Sequence, residues 1–135
     1  MNYWLLKSDP ETYSFDDFKK EGTTCWSGVR NYQARNFLQK MEIGDLALFY
    51  HSQTTKSVVG IAKVVRTSYP DPTIDDARWV VVDIEYYQDL PKEITLEQIK
   101  ENPVLQDIPL VKQQRLSVMQ LTKEQYAEIL RLANL

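Results

Sequence analysis

The chain has 135 residues, 43% apolar content and a formal net charge of −3, enough apolar material to bury a core and too much for a disordered segment. It reads as one domain spanning residues 1–135 and acting as a monomer, with no run of about 18 apolar residues to cross a membrane and no secretory leader ahead of Tyr3. The charge total hides a segregation: residues 22 to 70 hold six basic groups (Arg30, Arg35, Lys40, Lys56, Lys63, Arg66) against two acids, whereas 71 to 107 hold ten acids against three bases. Such a chain can bind a polyanion locally despite its low pI, or these can be solvated faces.

Tyr3 to Lys7 predicts a first strand, ended by the turn residues Ser8-Asp9-Pro10. A short helix follows, with Ser14 as N-cap, Asp16 and Asp17 in its first turn, Phe15 and Phe18 inward and Gly22 at its end. The segment Trp26-Ser27-Gly28-Val29-Arg30-Asn31-Tyr32-Gln33-Ala34-Arg35-Asn36 then reads as a recognition loop entering a helix capped by Asn31 and closed by Gly44. Ala34, Phe37, Leu38 and Met41 recur at i, i+3, i+4 and i+7 on its core face, while Arg35 and Asn36 lie off the centre of that face. Strands are expected at Asp45 to Tyr50, Val58 to Val65 and Trp79 to Tyr87. Thr95 with Gln98 and Thr122 with Gln125 match capping boxes that open two further helices. Between those helices, Leu110 to Met119 is either a strand or an ordered loop. Irregularly spaced strands with few helices predict an α+β domain on a curved sheet or small barrel.

Polar and aromatic groups concentrate at three element boundaries: Lys7 to Pro10, the Trp26 segment, and Phe49-Tyr50-His51-Ser52. Convergence of the three at one rim would let Trp26 and Tyr50 stack on a flat ring while Asn31, Ser8, Ser52 and backbone amides read its edge. Each residue also has a structural reading: Trp26 and Tyr50 in the core, His51 as a hydrogen-bonded structural imidazole, Arg30 and Arg35 paired with the acidic region. Cys25 and His51 are the only residues of their types, so neither an internal disulfide nor a zinc cluster is expected, and a reducing compartment is. No metal or cofactor motif occurs. A Cys25–His51 nucleophile and base is the one catalytic arrangement the composition permits, and the Asp71, Asp75, Asp76 cluster reads as a turn.

These motifs resemble the EVE domain family of the PUA-like superfamily over nearly the full length. The resemblance rests on Tyr3 to Pro10, Trp26 to Asn36, Gly44 to Ser52, Gly60-Ile61-Ala62, Tyr69-Pro70-Asp71-Pro72-Thr73, Trp79 to Asp83 and Arg115-Leu116-Ser117-Val118. Ser27 and Asp9 stand where relatives often carry an acid and Glu, the connection between Thr73 and Trp79 is short, and Met119-Gln120 replaces a Gln-Pro pair. The resemblance implies a PUA-like pseudo-barrel of mixed, mainly antiparallel strands with flanking helices, and a pocket akin to that of YTH domains. Trp26, Gly28, Val29, Arg30, Asn31, Tyr32 and Asn36 would form one side, Ser8, Tyr50, His51 and Ser52 the other, and Arg115, Leu116 and Ser117 the closure.

The expected function is a non-catalytic module binding DNA or RNA that carries a modified base, methylated or hydroxymethylated cytosine among the candidates. The expected location is the cytoplasm of a bacterium or the nucleus of a eukaryote. Trp26→Ala is expected to abolish binding without unfolding the domain. The alternatives are a nucleic-acid-processing enzyme, nuclease-like or dependent on Cys25 and His51, and a domain for a small ligand or protein partner.

Overall fold

In the computed structural model, which describes residues 1–135, six strands form one mixed sheet in the order β2-β5-β4-β3-β1-β6. They are β1 (Tyr3–Ser8), β2 (Thr23–Cys25), β3 (Leu46–His51), β4 (Ser57–Pro70), β5 (Val80–Thr95) and β6 (Val118–Leu121). Only β1 and β3 run parallel; the other pairings are antiparallel. Register shifts at four places along β4 and β5 bend that long pair, because an unpaired extra residue tilts a strand and increases its twist. The architecture is the expected α+β one, and its sheet is open, with β2 and β6 at the edges.

Five helices flank the sheet: α1 (Phe15–Glu21), α2 (Tyr32–Lys40), α3 (Leu96–Glu101), α4 (Pro109–Lys112) and α5 (Lys123–Leu132). Their starts follow local side-chain chemistry. Ser14, Thr95 and Thr122 each complete a capping box with the residue three positions on, and Asn31 Oδ1 accepts the Ala34 N–H at 2.9 Å. Helix α2 buries Ala34 and Leu38, its C-cap Met41 is buried too, and Phe37 packs partly buried against the core, the face its periodicity predicts. It stops at Lys40 rather than Gly44, whose positive φ instead serves the turn into β3.

Strands β4 and β5 extend beyond Val65 and Tyr87, the latter through Pro91, and β2 has no counterpart in the predicted elements. The Leu110 to Met119 segment contains both a helical turn and the start of a strand. A cluster of 34 buried residues forms the core. At one end it is aromatic: Phe49 stacks on Phe18 at 5.5 Å between centroids and meets Phe15 and Trp26 edge-on at 5.1 and 5.6 Å. Gly60 lies beneath this group, where a Cβ would come within 2.0 Å of the Phe15 ring.

Candidate functional site

Strand β1 sits between β3 and β6, so its end at Lys7 and Ser8 is framed on both sides. Lys7 N–H donates to the Ser117 carbonyl at 2.9 Å, and Ser52 N–H to the Ser8 carbonyl at 2.9 Å. Beyond this end opens a cavity of about 460 Å³, within the roughly 300–1,000 Å³ common for small-ligand sites. Ser8, Trp26, Gly28, Val29 and Ser117 line it, together with Lys7, Asp9, Tyr13, Thr24 and Cys25. Polar atoms and apolar surface thus face each other across a space large enough for one heterocyclic ring and its substituents.

The wall is held by groups whose hydrogen-bonding capacity is largely committed. Ser8 Oγ donates to the Tyr13 carbonyl at 2.5 Å, which leaves its lone pairs free to accept. Tyr13 donates its hydroxyl to Glu21; burial first and that bond second keep this phenol protonated. Trp26 is only 8% exposed, and its backbone N–H donates to Val82 at 2.8 Å. The indole is therefore a core side chain that also lines the cavity, and since truncating a buried tryptophan costs about 3–5 kcal/mol, Trp26→Ala changes stability as well as the cavity wall.

Asp71 fastens the loop that follows Trp26. Its Oδ2 accepts from Gly28 N–H at 3.1 Å and Arg30 Nη1 at 2.9 Å, and its Oδ1 from Thr73 N–H and Oγ1 at 2.8 and 2.6 Å. Burial alone would raise this carboxyl; the bonds from Thr73, Arg30 and Gly28 together outweigh it and hold the acid well below the usual carboxylate range. Gly28, at φ 83°, takes a backbone conformation that a side chain would strain. The turn reading of Asp71 understated it, since the residue tying down the recognition loop comes from more than 40 positions away. Its local signal was the Tyr69 to Thr73 motif.

The remaining predicted residues fall elsewhere. Tyr50 and Ser52 line a second, adjoining pocket of about 260 Å³ that shares Lys7 with the first, so Trp26 and Tyr50 do not face one another across one cavity. Burial pushes the Tyr50 hydroxyl up to about 12. His51 Nε2 accepts the Phe15 N–H at 2.9 Å, and burial lowers its pKa. Arg30, Asn31, Tyr32 and Asn36 lie outside the cavity lining. Arg30 pairs with Asp71, Asn31 caps α2, Tyr32 packs against Trp79 at 5.0 Å beneath Arg35, and Asn36 accepts from Arg35. Arg115 is exposed and Leu116 buried, so of that trio only Ser117 reaches the cavity.

Lys7, Asp9, Thr12, Tyr13, Thr24, Cys25 and Ser27 join the lining without having been among the predicted site residues. Thr24 arrives on the unpredicted β2. Cys25 and His51 share no hydrogen bond. Burial, then Asp83 and Asp71, raise the Cys25 thiol, the opposite of what a thiolate nucleophile needs.

A polar-edged cavity at the end of a central strand, flanked by a cationic pocket, defines a ligand-binding α+β domain. Residues 2–132 match the EVE domain model, and the chain belongs to the EVE domain family. Mouse thymocyte nuclear protein 1 is 38% identical over 97% of this chain and 73% of its own length. Among solved structures, a protein from Agrobacterium tumefaciens is 44% identical with a TM-score of 0.98, covering 100% of this chain and 94% of that one. The human THYN1 protein, crystallised in complex with 5-methylcytosine-containing DNA, is 33% identical with a TM-score of 0.94, covering 100% of this chain and 99% of that one. No helix of this chain is long and apolar enough to cross a membrane.

Proposed function

We propose that the chain is a non-catalytic reader of a modified nucleobase in DNA, or secondarily RNA, with 5-methyl- or 5-hydroxymethylcytosine as the leading ligand class. The cavity beyond β1 carries this reading. It joins the Trp26 edge, Val29 and Tyr13 to a single carboxylate, Asp9, and to several hydroxyls. Cytosine presents an exocyclic amine that a carboxylate accepts, beside N3 and O2, which accept from donors. A 5-methyl group fits the apolar side. The human relative solved with 5-methylcytosine-containing DNA supports the same ligand class.

A base inside a duplex must leave the stack to enter such a cavity, at a cost of a few kcal/mol. Stacking and edge contacts must recover that cost, so single-stranded and mismatched sites bind best. Such a reader works where nucleic acid is found, in a bacterial cytoplasm or a eukaryotic nucleus.

The test is equilibrium binding of single-stranded and duplex oligonucleotides, unmodified or carrying methylcytosine, hydroxymethylcytosine or methyladenine, at low and moderate salt, followed by tryptophan fluorescence and anisotropy. Saturable binding that favours one modified cytosine, with the oligonucleotide recovered intact, is the expected result. Absence of binding at low salt, or turnover of the oligonucleotide, overturns the assignment.

A further inference from the structure

We propose that the second pocket, bounded by Lys7, Lys56 and Lys100, holds a backbone phosphodiester of the strand whose base occupies the first cavity. This rests on the base-reader function above and extends it from the base to its phosphate. The lining is rich in hydrogen-bond donors: three ammonium groups, the side-chain amides of Gln53 and Gln114, and the Ser52 hydroxyl. No carboxylate lines it. Glu97 and Glu101 on α3 are exposed and off the wall. Such a lining suits an anion whose oxygens accept only.

Three separate elements supply its lysines. Lys7 is next to last in β1 and is held in place, its Nζ donating to the Gln114 carbonyl at 2.7 Å. Lys56 closes the turn between β3 and β4, where Gln53 and Lys56 both have positive φ. The Lys56 carbonyl accepts the Leu96 N–H at 2.9 Å, which binds that turn to the start of α3 and so brings Lys100 to the same opening. Lys56 and Lys100 are exposed and make no ion pair or side-chain hydrogen bond within the protein. Burial lowers the Lys7 pKa, as it does for an ammonium that lacks a neighbouring carboxylate.

Location selects the phosphodiester among anions. The two pockets share Lys7. In a nucleotide the phosphate lies one sugar away from the base, and Lys7, common to both linings, is the contact on which we assign the second opening to that phosphate. Lysine suits this task as a point charge that needs no fixed bidentate geometry.

The test compares wild type with Lys56→Gln/Lys100→Gln. Both positions are exposed, so a thermal melt should match wild type, and Lys7 is left untouched because it also lines the base cavity. Ligands are 5-methyl-2′-deoxycytidine, its 3′- and 5′-monophosphates, inorganic phosphate, and methylated and unmethylated oligonucleotides across a salt series. Wild type should bind a monophosphate more tightly than the nucleoside. The double variant should lose that advantage, keep its nucleoside affinity, and flatten the log K against log salt slope by about 0.7 for each single-strand phosphate it no longer neutralises. An unchanged slope and an unchanged monophosphate advantage in the folded variant overturn the phosphate site while leaving base reading standing. A flattened slope in a protein with no preference for the modified base supports the phosphate site and rejects base reading. Inorganic phosphate competing as well as the monophosphate also overturns the backbone assignment.

Discussion

The two neighbouring pockets differ in how their groups are held. In the first, Ser8, Tyr13 and the Gly28 amide are already engaged within the protein, and Asp71, itself held by two bonds from Thr73, fastens the loop through Gly28 and Arg30. In the second, Lys56 and Lys100 are exposed and uncommitted. A preorganised wall discriminates between bases because a wrong donor or acceptor leaves a buried group unpaired, whereas mobile ammonium groups attract phosphate without reading sequence. Under the proposed function, recognition falls to the first space and attraction to the second, and the two share Lys7.

The largest expected effect comes from breaking the aromatic side of the first pocket. Trp26→Ala should lower unfolding stability by about 3–5 kcal/mol in urea titration, so a loss of binding by that variant would not isolate the site from the fold. Trp26→Phe keeps a ring against Phe49 and should remain folded while losing affinity for the modified oligonucleotide. Full affinity in folded Trp26→Phe would show that the indole edge contributes nothing to recognition.

Next in size is the clamp. Asp71→Ala leaves the Gly28 amide and the Arg30 guanidinium without their acceptor and should cost roughly 2–3 kcal/mol. Base selectivity should fall with it, because the loop beside Trp26 loosens; retained stability in a denaturant titration would remove Asp71 from this role. Asp9→Asn sharpens the comparison more selectively. An asparagine amide can accept from the cytosine amine through its oxygen or donate to thymine O4 through its NH2, so discrimination against thymine should drop by about 1–3 kcal/mol, with stability and the salt slope unchanged. If cytosine preference persists in Asp9→Asn, another group reads the amine.

The smallest effect is a pH dependence at His51. Burial holds its folded pKa below the ordinary 6.5, so the unfolded chain takes up the proton more readily. The contribution of neutral His51 is complete above pH 6.5 and is lost as pH falls below it toward the folded pKa. Its Nε2 must stay unprotonated to accept the Phe15 N–H. Urea midpoints measured between about pH 7.5 and 5 should fall less steeply for His51→Ala than for wild type; parallel curves would show that His51 is not the group responsible.

Several features were legible in the residues because their causes are local. The three capping boxes and the Asn31 cap need only side chains within three positions, and the core face of α2 follows from helical spacing. The motifs of the first strand, the Trp26 loop and Arg115 to Val118 brought Ser8, Trp26, Gly28, Val29 and Ser117 into view, and these five line one cavity. The charge segregation transferred less well: Arg30 is neutralised by Asp71, while the second pocket draws Lys7 from before the basic segment and Lys100 from within the acidic one.

Readable from the residues alone were the family, the α+β class, most element starts and five of the twelve residues that line the cavity, since each depends on nearby residues or on an ordered set of motifs. The folded chain was needed to show that Trp26 is a buried residue that also lines the cavity, that Tyr50 lines a different opening, and that Asp71 fastens the loop after Trp26. It also decided that β2 exists, because three residues with little hydrophobic pattern become a strand only when β5 offers them backbone partners. The division has one physical cause. Caps and periodicity are satisfied by groups a few residues apart, whereas a cavity is the space left where distant strand ends fail to fill one another.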